Sequence, residues 1–223
     1  MILTFDDVIT EAEHATIMEA VRNAEFVDGK ATAGWAARGV KNNTQVKGGS
    51  TATKTVNEIV LNALRRSEEF RAGTQPKQLH SLLISRYEPG MDYGYHVDNA
   101  MMGRDVQWRT DISMTLFLNH PDDYDGGELS FESGSGDFRF KRNPRSIIAY
   151  PSTTLHRVMP VTRGERIVVV AWIHSLVRDA GVREMLYDLT TIRNNIFKRS
   201  GKCREFDLAA KTYTNLLRQY AEP

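Results

Sequence analysis

A single cysteine, Cys203, excludes an internal disulfide and fits a chain that works in a reducing compartment. Long apolar runs are missing too. The strongest, Ile167 to Ile173, falls far short of the roughly 20 residues that a membrane-crossing helix needs, and suits a buried strand. The opening residues, Met1-Ile2-Leu3-Thr4-Phe5-Asp6-Asp7, carry neither a basic cluster nor an apolar stretch, so no signal peptide is expected. Nor does one sign of charge dominate. Lysine and arginine total 29 against 28 aspartates and glutamates, so no global field recruits nucleic acid or an anionic membrane. A soluble, cytoplasmic protein is the expectation.

At 223 residues the chain holds one domain with room for a helical appendage. Thr10-Glu11-Ala12-Glu13 has the form of a capping box, and Ile17, Val21 and Ala24 follow at helical spacing, predicting a helix over 11–24. Residues 29–49 are rich in Gly, Ala, Asn and Lys and read as irregular, or strand and loop. A second helix is expected over 54–70, ended by Gly73-Thr74-Gln75-Pro76. Eight short strands follow, at 79–88, 93–98, 110–119, 127–132, 137–141, 145–150, 155–159 and 165–174. The third alternates plainly, with Ile112, Met114, Leu116 and Leu118 on one face and Ser113, Thr115 and Phe117 on the other. After Ser175 the period turns helical again: Met185, Leu189, Ile192 and Ile196, then Phe206, Ala210, Tyr213, Leu217 and Tyr220. The pattern suggests a mainly β protein, a double-stranded β-helix or jelly roll flanked by helices. Residues 1–78 would support the core at 79–175, and 176–223 would cover it or a second subunit in a homo-oligomer.

Within the strand region stand His96-Val97-Asp98, then His156, then Arg166. Two histidines and one carboxylate can occupy one face of an octahedral ferrous ion and leave three positions open. Residues i and i+2 of a strand share a face, so His96 and Asp98 can point together. Arg166 alternates with Val168, Val170 and Trp172. If that face points inward, the guanidinium calls for an anionic partner, and a dicarboxylate matches its fork. The remaining histidines, His14, His80, His120 and His174, read as surface or core residues, although His174 shares the face of Arg166. Lys41-Asn42-Asn43 reads first as a solvated turn, with a substrate wall as the alternative. Arg104, Arg109, Arg142 and Arg145 are candidates to steer an anionic substrate.

The segment Tyr87-Glu88-Pro89-Gly90-Met91-Asp92-Tyr93-Gly94-Tyr95-His96-Val97-Asp98 resembles the Y-x-x-G-x-x-Y-x-x-H-x-D signature of prolyl-4-hydroxylase-type 2-oxoglutarate dioxygenases. Gly126-Gly127-Glu128-Leu129, His156 and Arg166 stand where that superfamily has its Gly-Gly turn, distal histidine and 2-oxoglutarate anchor. Arg38-Gly39-Val40-Lys41-Asn42-Asn43, Tyr150-Pro151-Ser152, Leu155-His156-Arg157-Val158 and the closing Asn215 to Pro223 are similar to bacterial PKHD-type hydroxylases associated with iron uptake. The resemblance spans essentially the whole chain. It implies Fe(2+) on His96, Asp98 and His156, 2-oxoglutarate on Arg166 with Tyr87 as a further hydrogen-bonding candidate, and L-ascorbate to keep the iron reduced. It also implies a reaction in which dioxygen and 2-oxoglutarate give succinate, CO2 and a hydroxylated peptidyl proline or small iron-related metabolite. Phe117 departs from the pattern, standing where many prolyl hydroxylases carry tyrosine.

Three other readings remain open at this point: a non-catalytic metal-binding or sensor module on the same barrel, a nucleic-acid demethylase, and a zinc hydrolase. Arg166 weighs against the first, since a metal holder needs no dicarboxylate anchor. Near-neutral charge weighs against the second, as does Trp172, which stands six residues after Arg166 where those enzymes tend to place another arginine.

Overall fold

Strand Ile112–Phe117 lies within the larger of two principal sheets, and its alternation settles what each side of that sheet meets. The computed structural model showing this describes residues 1–80, 82–103 and 105–222. Ile112, Met114 and Leu116 project to the outside of the barrel. There they join Ile147, Ala149, Val169, Ala171 and Ile173 in one buried core with Ile17, Val21, Val56, Val60 and Phe70, all from the N-terminal helices. The opposite face of the sheet looks inward. Phe117, Ile148, Tyr150 and Val168 meet Leu129 and Phe131 of the smaller sheet.

All pairings between strands are antiparallel. The larger sheet has eight strands in the order Leu3–Phe5, Ile147–Pro151, Ile112–Phe117, Arg166–Ser175, Leu83–Tyr87, Thr44–Val46 and Phe26–Asp28, with Pro76–Leu79 also paired to Arg166–Ser175. The smaller sheet runs Phe138–Phe140, Leu129–Phe131, His156–Val158, Asp92–His96 and Lys41–Asn42. Two facing antiparallel sheets make the expected mainly β jelly roll. The stretch read as one strand over 79–88 is two, and residues before position 78 supply strands to both sheets. Leu3–Phe5, Phe26–Asp28 and Val161–Arg163 were not expected: at three residues each, they are too short to show alternation.

Helix α1, Glu11–Arg22, begins with the anticipated capping box: Glu13 N–H donates to Thr10 Oγ1 at 3.2 Å, and Thr10 N–H to Glu13 Oε2 at 2.8 Å. Glu13 also receives Arg66 at 2.5 and 2.7 Å, which ties α1 to the end of α2, Thr51–Arg66. That guanidinium pulls the Glu13 carboxyl down to about 2. The expected helix over 54–70 is broken. Ser67 adopts an extended conformation and its hydroxyl accepts the Phe70 N–H at 3.3 Å, starting α3, Glu68–Thr74.

The last two helices, α4 (Ala180–Ser200) and α5 (Arg204–Tyr220), pack on each other. Val177, Val182 and Leu186 form a small buried cluster with Leu176, Tyr213, Leu216 and Leu217 against it. The stripe anticipated from sequence is therefore displaced. Met185 and Ile192 remain 47 % and 48 % exposed, because the covered face of α4 is centred on Val182 and Leu186. No helix among the described residues is long and apolar enough to cross a membrane.

Phe70 packs edge-on against Phe5, at 5.5 Å between ring centroids, where α3 meets the larger sheet. Phe70→Ala should cost about 3–5 kcal/mol of stability. Urea unfolding measures it, and a loss below about 1 kcal/mol would mean that this junction repacks around the gap.

Candidate active site

The register of the smaller sheet creates the site. His96 closes strand Asp92–His96 and pairs directly with His156, which opens strand His156–Val158. Their rings lie 4.2 Å apart. Asp98 follows just past the strand end, rather than inside a strand reaching residue 98 as the alternation suggested. Nδ1 of His96 lies 2.8 Å from Gly94 O and Nδ1 of His156 lies 2.9 Å from Thr154 O. Donation of each Nδ1–H to its carbonyl leaves the Nε2 lone pairs free. These Nε2 atoms lie 3.9 Å from Asp98 Oδ1 and Oδ2 respectively. One ligand atom from each of the three residues falls within 4.8 Å of the others.

The surroundings hold the three side chains still. Ser113 donates to Asp98 Oδ2 at 2.5 Å, and Ser152 Oγ stands 2.8 Å from Ser113 Oγ. Tyr93 stacks on the His96 ring at 3.6 Å, and Tyr150 meets His156 edge-on at 5.0 Å. The side chains of His96, Asp98 and His156 are only 7, 10 and 4 % exposed. Burial, with the neighbouring His156, pushes His96 down to about 4. It is a neutral imidazole at pH 7, as a ligand to a cation must be. Paired neutral imidazoles and a carboxylate suit a divalent metal with positions to spare.

Arg166 stands across the cavity at the start of strand Arg166–Ser175, opposite Tyr87. It is 1 % exposed, its Nε has no hydrogen-bond partner, and no carboxylate among the described residues pairs with it. The rings of Tyr87 and Phe117 lie 5.1 and 5.5 Å from its Cζ. Burial raises the Tyr87 hydroxyl to about 12, so it remains a donor at neutral pH. The Gly126-Gly127 turn has its own reason. Both residues have positive φ, at +72° and +66°, and a Cβ on Gly127 would sit 3.0 Å from Arg166 Cδ and from the Tyr124 ring.

His96, Asp98, His156, Tyr87 and Arg166 line one cavity of about 760 Å³, its open mouth included. Lys41 lines it as well and is buried, so the solvated-turn reading of Lys41-Asn42-Asn43 is corrected. The strand pairing of Lys41 with Tyr93, invisible in a Gly-rich stretch, draws it in. His174 lies outside the cavity wall, beside Trp108 at 6.3 Å. The arginines read as steering groups are paired locally: Arg109 with Asp111 and Glu222, Arg142 with Asp6, Arg145 with Asp7. Arg104 lies outside the described residues. Ser113, Ser152 and Trp172 were not singled out as site residues. The signal available was the run of small hydroxyl residues on the less apolar face of strand Ile112–Phe117.

Residues 82–174 match the 2OG-Fe(II) oxygenase superfamily. The chain is 50 % identical over 222 residues to a PKHD-type hydroxylase of Crocosphaera subtropica, and 52 % identical over 223 residues to one of Synechococcus sp. JA-2-3B'a(2-13). Each alignment covers all of both chains. The protein belongs to the PKHD-type hydroxylase family. It is an Fe(II)- and 2-oxoglutarate-dependent dioxygenase. Its fold is similar to a prolyl hydroxylase of Trichoplax adhaerens, solved with a hypoxia-inducible-factor peptide, at a TM-score of 0.57 and 15 % identity over 78 % of this chain and 83 % of that one. HygX of Streptomyces hygroscopicus, solved with nickel and 2-oxoglutarate, is similar at a TM-score of 0.57 and 13 % identity over 78 % and 82 %.

A lowered histidine pKa carries a stability cost on the acid side. At pH above the ordinary 6.5, His96 is neutral whether the chain is folded or not, and contributes no penalty. Between 6.5 and about 4 the unfolded chain takes up a proton that the folded one refuses. The metal-free PKHD-type hydroxylase should therefore lose thermal stability as pH falls through that window, and His96→Gln should flatten the slope. Parallel slopes for the two proteins would place the acid sensitivity elsewhere.

Proposed function

We propose that His96, Asp98 and His156 hold the ferrous ion and that Arg166 takes the distal carboxylate of 2-oxoglutarate, with Tyr87 as a second donor to the co-substrate. The observation that carries this is the pairing within one cavity of a His–Asp–His set and a fully buried guanidinium with no anionic partner among the described residues. A guanidinium left that way is costly, and a dicarboxylate with its other end on the metal removes the cost. The ion, when bound, supplies the redox chemistry that couples decarboxylation of 2-oxoglutarate to succinate and CO2 with insertion of an oxygen atom from dioxygen into the substrate.

The protein groups do the positioning. Gly94 and Thr154 carbonyls fix the imidazole tautomers, and Ser113 fixes the Asp98 carboxylate. Tyr93, Tyr150 and Val158 line the cavity and limit water around the reacting carbon. The assignment extends to L-ascorbate as the reductant that restores ferrous iron, and to a peptidyl proline or a small iron-related metabolite as substrate. The Trichoplax neighbour was solved with a peptide, which supports the first. In this reading residues 79–175 are the catalytic core, 1–78 its support and 176–223 its cover. The exposed Met185 and Ile192 support a homo-oligomeric contact, and the lone cysteine supports a cytoplasmic setting.

Purification under argon, metal analysis and a succinate assay test the assignment. His96→Ala, Asp98→Ala and His156→Ala should each abolish 2-oxoglutarate turnover while far-ultraviolet circular dichroism stays close to wild type. Full activity in any of the three would remove that residue from the site.

Arg166→Ala should raise the 2-oxoglutarate concentration needed for half-maximal turnover by orders of magnitude, since losing one partner of a buried charged pair is worth roughly 2–5 kcal/mol. Arg166→Lys should restore part of it. An unchanged requirement in the alanine variant would mean that a different cation is the anchor.

A further inference from the structure

Lys41 is a second buried cation in the wall of the same cavity, and the co-substrate assignment does not use it. The residue is 5 % exposed. Its ammonium donates one hydrogen bond, to Thr32 Oγ1 at 2.9 Å, and lies 5.2 Å from the Tyr93 ring centroid. No carboxylate among the described residues forms an ion pair with it. An ammonium has three donors, so two have no partner among the described residues and are available to whatever enters the cavity. Burial lowers the group to about 8, which leaves it charged at neutral pH.

The placement is built rather than incidental. Lys41 pairs across strands with Tyr93, whose ring stacks on the ligand candidate His96. The cation therefore belongs to the smaller sheet, whereas Arg166 belongs to the larger one. From Thr32 the hydrogen bonds continue to Gln45 at 2.8 Å and from Gln45 to Ser85 at 3.2 Å, both also in the cavity wall. That chain fixes the Lys41 head group while leaving its remaining donors free.

Charge indicates what those donors meet. On the assignment above, a divalent ion and Arg166 are balanced by Asp98 and the 2-oxoglutarate dianion. Lys41 then adds one further positive charge to the loaded cavity, shielded from water and offset only at a distance by Asp28, with which it forms no ion pair. A neutral substrate would leave it so, and one singly charged acid group would cancel it. We propose that Lys41 is an anion subsite for the primary substrate, so that the molecule hydroxylated carries a carboxylate which the ammonium grips on the His96 side of the cavity. This rests on the metal and co-substrate assignment and narrows the substrate to carboxylic acids, whether free small molecules or the carboxyl groups of a peptide.

The test uses full-length protein loaded with manganese(II) and saturating 2-oxoglutarate, probed with acetate and with its neutral analogue acetamide. Paramagnetic relaxation of the probe's methyl protons reports entry beside the metal. Acetate should produce a saturable enhancement and acetamide none. Lys41→Met should weaken acetate binding at least tenfold while leaving 2-oxoglutarate affinity within twofold of wild type, and Lys41→Arg should retain acetate. Absence of acetate binding in wild type, equal binding of acetamide, or equal acetate binding in Lys41→Met would each overturn the proposal. So would a Lys41→Met variant that instead loses 2-oxoglutarate, since Lys41 would then serve the co-substrate. If Lys41→Met does not fold, loss of acetate binding by a folded Lys41→Arg would overturn the proposal and retention would support it. A wild-type protein that binds neither manganese nor 2-oxoglutarate would sink the underlying assignment instead, and this inference with it. Among cell-extract compounds that gain an oxygen atom, a product without any carboxyl group would likewise count against it.

Discussion

His96 and His156 are neighbours because two strands of the smaller sheet meet in one register. The pairing is backbone chemistry, indifferent to what the side chains do, and the rest of the cavity is placed relative to it. A slip of either strand by one residue would turn its ring to the other face of the sheet and separate the pair. The sequence around the pair guards against that slip. Val158, with Val161, packs against Tyr87, and Phe131 stands opposite His156 on the next strand. The apolar residues that stabilise the sheet thus also set the geometry of a polar site.

The cavity concentrates charge in a place where charge is expensive. Asp98, Arg166 and Lys41 are all withdrawn from water; Asp98 accepts from Ser113 and Lys41 donates to Thr32, while Arg166 Nε has no partner among the described residues. Buried ions of this kind contribute little to folding and are tolerated because stability comes from elsewhere. Here it comes from the outward face of the larger sheet, where Ile112, Met114, Leu116, Val169 and Ala171 are fully covered by α1, α2 and α3. One sheet therefore serves two purposes through a period of two: an apolar face for stability, a mixed face for chemistry.

Much of this could be read from the chain because it is local. The Thr10–Glu13 capping box, the alternation at 112–117 and the punctuation at Gly126-Gly127 each depend on residues within a few positions of one another. The cluster of His96, Asp98 and His156 was legible because its residue types are rare in combination, although Asp98 reaches it from beyond a strand rather than from within one. What stayed hidden depends on distant partners. Lys41 looks like a surface lysine until it is paired with Tyr93. Ser113 is one small residue among many until Asp98 is folded against it. The break at Ser67 escaped notice because helical apolar spacing continues through it and only the hydroxyl's bond to Phe70 N–H betrays the restart. Displacement of the covered face of α4 likewise follows from how α5 lies on it, which no periodicity in α4 alone reveals.

The crowded turn at Gly127 bears on how tightly an anion can be held. An arginine side chain free in solution samples many rotamers, and freezing it on binding costs up to about 2 kcal/mol in lost entropy. Arg166 has little such freedom left. The Gly127 backbone approaches its Cδ closely, and Tyr87 and Phe117 flank its guanidinium. The entropic loss is met during folding, once, and not again at each turnover. On the proposed anchoring role of Arg166, a glycine without a side chain contributes to affinity for a molecule that it does not touch.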